Sequence, residues 1–213
     1  GVLPDINGLY KDGHPQIDGV ILSHAHQDHY GLISYINPNI YFYLGKATHD
    51  IIELTNLFTP KQIEIKNPKY YEKEEPLQIG NITITPYWAD HSAFDAYSFL
   101  IEADGKSLFY SGDIRSHGRK SKAFQWFLHN APKDVDYLLL EGSNIGQEDK
   151  PFITEDAIED KLVDHFNKND RINLIYTSGQ NIDRLVSIYR ACLKTDKTLV
   201  VDVYVASILK RLA

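Results

Sequence analysis

Short apolar runs, several of them followed by polar clusters, organise the first two thirds of the chain. Apolar residues run continuously or alternate with polar ones over strand-length stretches. These stretches are 20–22, 40–44, 63–65, 82–86, 97–103, 107–110 and 135–140. Because few helical patterns separate the later stretches, the order predicts a meander of neighbouring strands.

Helical periodicity is less frequent. Residues 46–58 carry apolar side chains at helical spacing, and Thr154 is a candidate N-cap for a helix over 154–167. Residues 30–36 could form a short helix. From residue 172 onwards the pattern is strand, helix, strand, helix, which predicts a parallel sheet. We therefore expect one domain over 1–168 and the start of a second over 169–213.

Composition limits the class of protein. The 213 residues, 43% of them hydrophobic, are enough to bury a core. Cys192 is the single cysteine, so an internal disulfide is excluded and a reducing, cytoplasmic location is expected. No apolar run approaches the roughly 18 residues that span a membrane. A net charge of −7 disfavours a large nucleic-acid footprint, and the absence of Met leads us to expect a fragment.

Four side chains that can bind metal lie within six positions after the first apolar run: His24, His26, Asp28 and His29. In extended backbone His24 and His26 face the same side and can bind one ion together. Asp28 and His29 can face a second ion once the chain bends. Imidazole with carboxylate suits zinc first, with manganese or iron as alternatives. A solvated polar loop is the competing interpretation, and the density of histidines argues against it.

Two later strand ends carry further candidate ligands, His91 and Asp113. Alone, a loop histidine and a Gly-Asp turn would carry little weight. Asp90 is a candidate acceptor for the ring N–H of a ligand histidine, which usually needs such a partner. A turn or cap role for Asp90 is an equally good interpretation. We expect His49, on the predicted helix over 46–58, to lie at the surface.

The segment SHAHQDH at 23–29 resembles the HxHxDH signature of the metallo-β-lactamase superfamily. The resemblance implies an α/β protein with an αββα sandwich and metals at one edge of its two sheets. It also implies a ligand set for two ions. In that set His24, His26 and His91 hold the first ion, Asp28 and His29 belong to the second, and Asp113 bridges both.

Other segments narrow the resemblance to the RNase J-like β-CASP ribonucleases. SGDIRSHGRK at 111–120 and DHSAFDA at 90–96 are similar to segments of that group. TSGQNIDRLVSIYRA at 177–191 resembles the entry into its inserted, Rossmann-like β-CASP domain. Glu141, at the end of a predicted strand, resembles the group's next acidic motif and joins Asp28 and Asp113 as a catalytic candidate. An acid without function is the alternative for Glu141.

The chain departs from the group's pattern at its end. Histidine-containing motifs are expected late in such proteins, and no histidine follows His165. The ligand that would complete the second metal position is therefore missing, in keeping with a fragment that lacks N- and C-terminal parts.

Basic residues follow the candidate bridging carboxylate. Arg115, Arg119 and Lys120 are candidate phosphate contacts. The loop at Ser178, with Arg184 one turn further on, could bind an anion at a helix N-terminus. A solvated charged loop and an ordinary helix cap are the respective alternatives.

The resemblance implies a phosphodiesterase that hydrolyses RNA with two zinc ions, or manganese, and a bridging hydroxide as nucleophile. RNA is then the expected partner, no membrane partner is expected, and a homodimer is compatible with the group. Two alternatives stay open. One is a hydrolase of small esters, lactones or thioesters, which needs the same ligands. The other is a non-catalytic RNA-processing subunit, and the candidate ligands retained in this part of the protein argue against it.

Overall fold

The computed structural model describes residues 3–146 and 151–213 as a mixed α/β protein. In this part of the chain the strands are β1 (Val20–Ile21), β2 (Phe42–Leu44), β3 (Pro68–Tyr70), β4 (Leu77–Ile79), β5 (Ile82–Trp88), β6 (Tyr97–Ala103), β7 (Lys106–Tyr110) and β8 (Tyr137–Leu139). The α-helices are α1 (Gln27–Tyr30), α2 (Lys46–Asn56), α3 (Ser121–Asn130), α4 (Glu155–Lys168), α5 (Ile182–Lys194) and α6 (Val203–Leu212).

The first sheet consists of three parallel strands in the order β1, β2, β3. Phe42 of the central strand lies opposite Val20 on one side and Pro68 on the other. All three residues of β2 are buried. The continuous apolar run that predicts this strand is typical of a parallel sheet covered on both faces.

The second sheet contains β4 to β8 in sequence order. Pairing is antiparallel from β4 to β7, and β8 adds in parallel to β7. Asp104 and Gly105 connect β6 to β7 in a two-residue turn with φ angles of 51° and 71°. Both angles lie in the left-handed region that a tight hairpin needs, and Gly meets this requirement without steric cost. The predicted meander is confirmed for β4 to β7, and β8 departs from it by pairing in parallel.

Helices cover the outer faces of the two sheets. Ile51 and Ile52 of α2 pack with the first sheet in one buried cluster. Between the sheets, Tyr43 and Tyr71 pack with Phe99 of β6 in a second cluster. On the far side Phe127 of α3 lies with its ring centroid 5.8 Å from that of Phe109. The resulting layers are helix, sheet, sheet and helix, as the resemblance to the metallo-β-lactamase superfamily implies.

The helices α4 and α5 pack against each other beside this sandwich. Phe166 of α4 contacts Ile188, Ala191 and Cys192 of α5 in a small buried cluster. Thr154 begins α4 as predicted, since its Oγ1 accepts a hydrogen bond from the backbone N–H of Ala157 at 3.2 Å.

The predicted parallel sheet at the end of the chain is wrong for the residues that the structure describes. The helices α5 and α6 form where expected, but 172–176 and 198–202 form no strands. Both segments instead line one groove, with a floor formed by Leu185, Ile188 and Cys192. An apolar run becomes a strand only when another strand pairs with its backbone. In the described residues no strand pairs with either segment.

Smaller differences concern the ends of elements. The strand expected at 63–65 is wrong, because the third strand is Pro68–Tyr70. Ile63 and Ile65 bury their side chains in the core, which explains their strand-like alternation. The helix expected at 30–36 is replaced by α1 and a 3₁₀ turn at Ile33–Tyr35.

No helix of the described residues is long and apolar enough to cross a membrane.

Candidate metal centre

Three loops bring the candidate ligands to one end of the sandwich. His24 and His26 lie in the loop after β1, and the chain then turns into the short helix α1, which carries Asp28 and His29. His91 follows β5, and Asp113 follows β7. A ligand placed directly after a strand is held by the sheet behind it, so its backbone position is fixed by packing.

Asp113 stands at the centre of the cluster. Its Oδ2 lies 3.7 Å from Nε2 of His24, 3.4 Å from Nε2 of His29 and 3.7 Å from Nε2 of His91. His26 joins through its Nδ1, which lies 3.0 Å from His91 Nε2. One ligand atom each from His24, His26, His91 and Asp113 falls within 4.8 Å of the other three. The structure thus brings together four residues from three separate loops.

Burial keeps the imidazoles of this cluster neutral. Desolvation, together with the neighbouring histidines His29, His91 and His26, lowers the pKa of His24 to about 2. Desolvation is the main cause that lowers the pKa of His91 to about 3, and the charges of His26 and Arg115 lower it further. A neutral imidazole offers a lone pair to a cation, so these histidines need lose no proton to bind metal near neutral pH.

His24 gives the clearest test of whether a metal fits. Its side chain is completely buried, and Nδ1 lies 3.0 Å from Ser23 Oγ. Its Nε2 is the one buried side-chain nitrogen or oxygen without a hydrogen-bond partner in the described parts of the chain. Leaving a buried polar atom unpaired costs about 1 to 3 kcal/mol. A cation at the centre of the cluster would satisfy this nitrogen.

Asp28 and His29 lie at the more exposed side of the cluster. Asp28 Oδ2 lies 3.7 Å from His29 Nε2, and the Asp28 side chain is 79% exposed. His29 adjoins the buried group both through Asp113 and through the His24 ring, whose centroid lies 4.1 Å from that of His29. Burial raises the pKa of the Asp113 carboxyl, His29 opposes this shift, and the nearby Glu141 and Asp28 add to it. Several carboxylates this close together favour binding of a cation.

Glu141 supports the Asp113 loop. Its carboxylate accepts a hydrogen bond from the backbone N–H of Ile114 at 2.6 Å, next to Asp113. Its own N–H donates to Ser111 Oγ at 3.1 Å. In this structure Glu141 therefore contacts the residues on both sides of the Gly112-Asp113 turn, the Ser111 side chain and the Ile114 backbone.

Asp90 does not accept from a ligand ring, and the prediction that it does is wrong. Its carboxylate instead accepts hydrogen bonds from Arg115 Nε at 3.4 Å and from the N–H of Gly118 at 3.1 Å. Asp90 is buried. A buried carboxylate is stabilised more by a positively charged partner than by a neutral imidazole. Arg115 supplies that positive charge.

The predicted phosphate contacts lie mainly in ion pairs. Arg115 pairs with Asp90 and Asp183. The other pairs are Arg119 with Asp156 and Glu159, and Arg184 with Glu155 through three hydrogen bonds. Lys120 lies over the Phe94 ring, and burial lowers the pKa of its ammonium. Ser178 Oγ accepts from the N–H of Gln180 at 3.3 Å. Most of these positively charged side chains are therefore already paired with carboxylates of the same chain.

Sequence reasoning missed these carboxylates. Glu155, Glu159 and Asp183 are buried, although nothing in their local pattern distinguishes them from exposed acids in the first turns of helices. The basic run at 115–120 is the signal that could have indicated a need for compensating acids. His49 was also misjudged, because it is buried and its Nδ1 lies 2.8 Å from the Tyr70 hydroxyl.

Comparison with known proteins agrees with this geometry. The profile described as "Beta-lactamase superfamily domain" matches residues 7–156, a range that contains every candidate metal ligand. The chain belongs to the beta-lactamase superfamily. The metallo-β-lactamase fold of this superfamily implies divalent metal ions, and the cluster around Asp113 is a donor set that fits them.

Relatives within the superfamily include proteins named for RNA cleavage. An RNase J-like protein of Methanocaldococcus jannaschii is 32% identical over 126 residues, which cover 54% of this chain and 29% of the relative. Ribonuclease J of Helicobacter pylori strain 26695 is 26% identical over 119 residues, covering 54% of this chain and 17% of that one. The chain thus matches less than a third of the length of these curated relatives.

A solved structure matches almost the whole chain. The crystal structure of a protein of unknown function from Enterococcus faecalis V583 superposes with a TM-score of 0.83 at 25% identity. The superposition covers 97% of this chain and 54% of that protein. The superfamily fold described above, including the α4–α5 pair, therefore has a close counterpart in a solved structure.

Proposed function

We propose that the chain is the metal-binding part of an RNase J-like phosphodiesterase that hydrolyses RNA. The observation that carries this proposal is the buried cluster of His24, His26, His91 and Asp113. Its donors are neutral imidazoles around one carboxylate, and one imidazole nitrogen has no partner of its own. Superfamily membership supports a metal-dependent hydrolase, and the names of the relatives support RNA as substrate.

The proposed centre holds two zinc ions. His24, His26 and His91 would bind the first, Asp28 and His29 would contribute to the second, and Asp113 would bridge them. Three histidines with an open position are a typical catalytic zinc site, and manganese is the alternative metal. When bound, two such ions lower the pKa of water and neutralise charge at the phosphorus.

The residues of the chain prepare this centre in two ways. The sheets and the burial of His24 and His91 keep the imidazoles neutral and fixed. Glu141 holds the Asp113 turn through the N–H of Ile114, so its proposed role is to position Asp113. Pre-positioned ligands reduce the reorganisation needed when substrate binds.

A second candidate function is favoured by the ion pairs of the basic run. Because Arg115, Arg119 and Arg184 are engaged by carboxylates, they do not form a free phosphate-binding surface. A metal-dependent hydrolase of small esters, lactones or thioesters would need the same ligands and no such surface. The proposed β-CASP-like domain beginning near residue 169 would have to supply the RNA contacts.

Cleavage of a 5′-labelled single-stranded RNA by the full-length protein tests the proposal, with Asp113→Ala as the disabled variant. Asp160→Ala is the matched control, since the Asp160 side chain is 78% exposed and lies away from the cluster. We expect metal-dependent RNA cleavage in the wild type and the control, and loss of about a thousandfold or more in Asp113→Ala, the scale of an essential electrostatic group.

Parallel assays with p-nitrophenyl acetate and a thioester separate the two candidates. Hydrolysis of these small substrates without RNA cleavage would replace the nuclease proposal with the small-substrate hydrolase. Bound metal with no turnover of any substrate would instead favour a non-catalytic RNA-processing subunit.

A further inference from the structure

Arg115 lies where two ligand loops meet helix α5. It follows Asp113 by two positions, and its backbone N–H donates to the carbonyl oxygen of Asp90 at 2.7 Å. Asp90 in turn directly precedes His91. The Arg115 backbone is therefore linked to the two loops that carry His91 and Asp113.

The Arg115 side chain extends this link to α5. Its Nε donates to Asp90 Oδ1 at 3.4 Å, and its Nη2 donates to Asp183 Oδ2 at 2.5 Å. Asp183 lies in the first turn of α5 and also accepts from the backbone N–H of Arg119 at 3.0 Å. One guanidinium thus joins a carboxylate beside the metal centre to a carboxylate of a separate helix.

The ion-pair group of Asp90, Arg115 and Asp183 is shielded from water. The Asp90 side chain is fully buried, and those of Arg115 and Asp183 are each 10% exposed. Gly118 packs against it so closely that a Cβ there would overlap Asp90 Oδ1. Removing one member of a buried ion pair leaves the other uncompensated, so these three charged groups depend on one another.

A further contact fixes the helices to the same loop. The backbone N–H of Glu155, at the start of α4, donates to the carbonyl oxygen of His117 at 3.1 Å. Because α4 and α5 pack together, a shift of either helix moves Asp183 relative to Arg115. The segment 114–120 is consequently the structural connection between the helix pair and the metal centre.

We propose that Arg115 is a positioning residue that couples the metal centre to α5 through Asp90 and Asp183. The proposal rests on the metal centre of the proposed function. Docking of α5 holds Arg115, Arg115 holds the loop of Asp90, and this loop sets the position of His91. Such coupling is reciprocal, so metal binding also stabilises the docked position of α5.

Titration of the full-length apoprotein with Co²⁺ tests the coupling, because ligand-field absorption reports the geometry of the bound ion. Asp183→Asn keeps the shape of the side chain and removes the charge that faces Arg115. Arg115→Lys is a second variant, which keeps the charge and loses the planar fork that reaches two carboxylates. Asp160→Asn is the control, since it removes the same kind of charge from an exposed position of α4, where the Asp160 side chain is 78% exposed, and leaves Asp90, Arg115 and Asp183 unchanged.

We expect Asp183→Asn and Arg115→Lys to bind Co²⁺ about tenfold more weakly than wild type and to shift its absorption bands, as loss of a group that orients ligands commonly does. Asp160→Asn should bind Co²⁺ as wild type does. Unchanged affinity and spectrum in Asp183→Asn and Arg115→Lys would overturn the coupling alone. So would an equal loss in Asp160→Asn, which would assign the effect to the loss of any negative charge from the helix pair.

Wild-type protein that binds no Co²⁺ is a different result. It would contradict the metal centre of the proposed function, and the coupling would fall with it. The wild-type titration therefore tests the centre, and the difference between the variants tests Arg115.

Discussion

The metal end of the molecule and the α4–α5 pair are held in place by different forces. Around the ligand loops, side chains such as Leu44 and Ile52 are completely buried in apolar clusters. The helix pair has a smaller apolar cluster and meets loop 114–120 through buried charges, among them Glu159 and Asp183. In the segment beside the helix pair, the Leu174 side chain is 94% exposed and therefore adds little apolar packing.

This difference suits the two regions to different tasks. Apolar packing is insensitive to pH and gives the ligands fixed positions, which a metal centre requires. Paired charges depend on protonation and on the presence of each partner, so an interface built from them can respond to its surroundings. The rigid part carries the candidate chemistry, and the charged part adjoins it.

A matched pair of leucine substitutions should show the largest contrast. Leu44→Ala empties a completely buried position and should lower the free energy of unfolding by about 2 to 5 kcal/mol. Leu174→Ala removes the same atoms from an exposed position and should change it by less than about 0.5 kcal/mol. Urea denaturation of both variants gives the two values. Equal losses would mean that 172–176 is packed in solution, and would remove the contrast.

Glu155→Gln should have a smaller effect that depends on pH. Burial raises the pKa of Glu155, but hydrogen bonds from Arg184 and Ser187 outweigh this and hold it below its ordinary 4.5. At neutral pH we expect a loss of about 2 kcal/mol, less than the roughly 3 to 5 for a fully buried pair, because the Arg184 side chain is 33% exposed.

The sign of the pH dependence follows from the lowered pKa. Stabilisation by Glu155 is complete above the pKa of the unfolded state and is lost as pH falls through the lower folded value. The difference between wild type and Glu155→Gln should therefore be constant from about pH 6 upwards and shrink below about pH 4.5. Denaturation curves across this range check it, and a difference that grows in acid would contradict the assignment.

Where the signal was local, the sequence indicated residues that the structure brings together. His24 and His26 stand at alternate positions after a strand, and His91 and Asp113 each follow a strand that could be recognised by its own apolar pattern. Sheet edges then bring these ends together. The N-cap at Thr154 also depends on neighbours in sequence, and the structure agrees with it. The αββα order was implied by the resemblance of 23–29 to the superfamily signature, and the structure agrees with that as well.

What failed depended on contacts that are distant in sequence. Asp90 pairs with Arg115 and Gly118, 25 and 28 positions away, and Arg115 with Asp183 at a separation of 68. No periodicity encodes such partners. The strands expected at 172–176 and 198–202 failed for a related reason, since strand formation requires a pairing partner that the local pattern cannot supply.

Counting metal ions on the purified full-length protein by native mass spectrometry tests the central claim most directly, with Asp113→Ala measured beside it. The account predicts two zinc ions on the wild type and at most one on the variant, because Asp113 would contribute to both positions. A wild-type protein that binds no divalent ion after exposure to zinc would contradict the account.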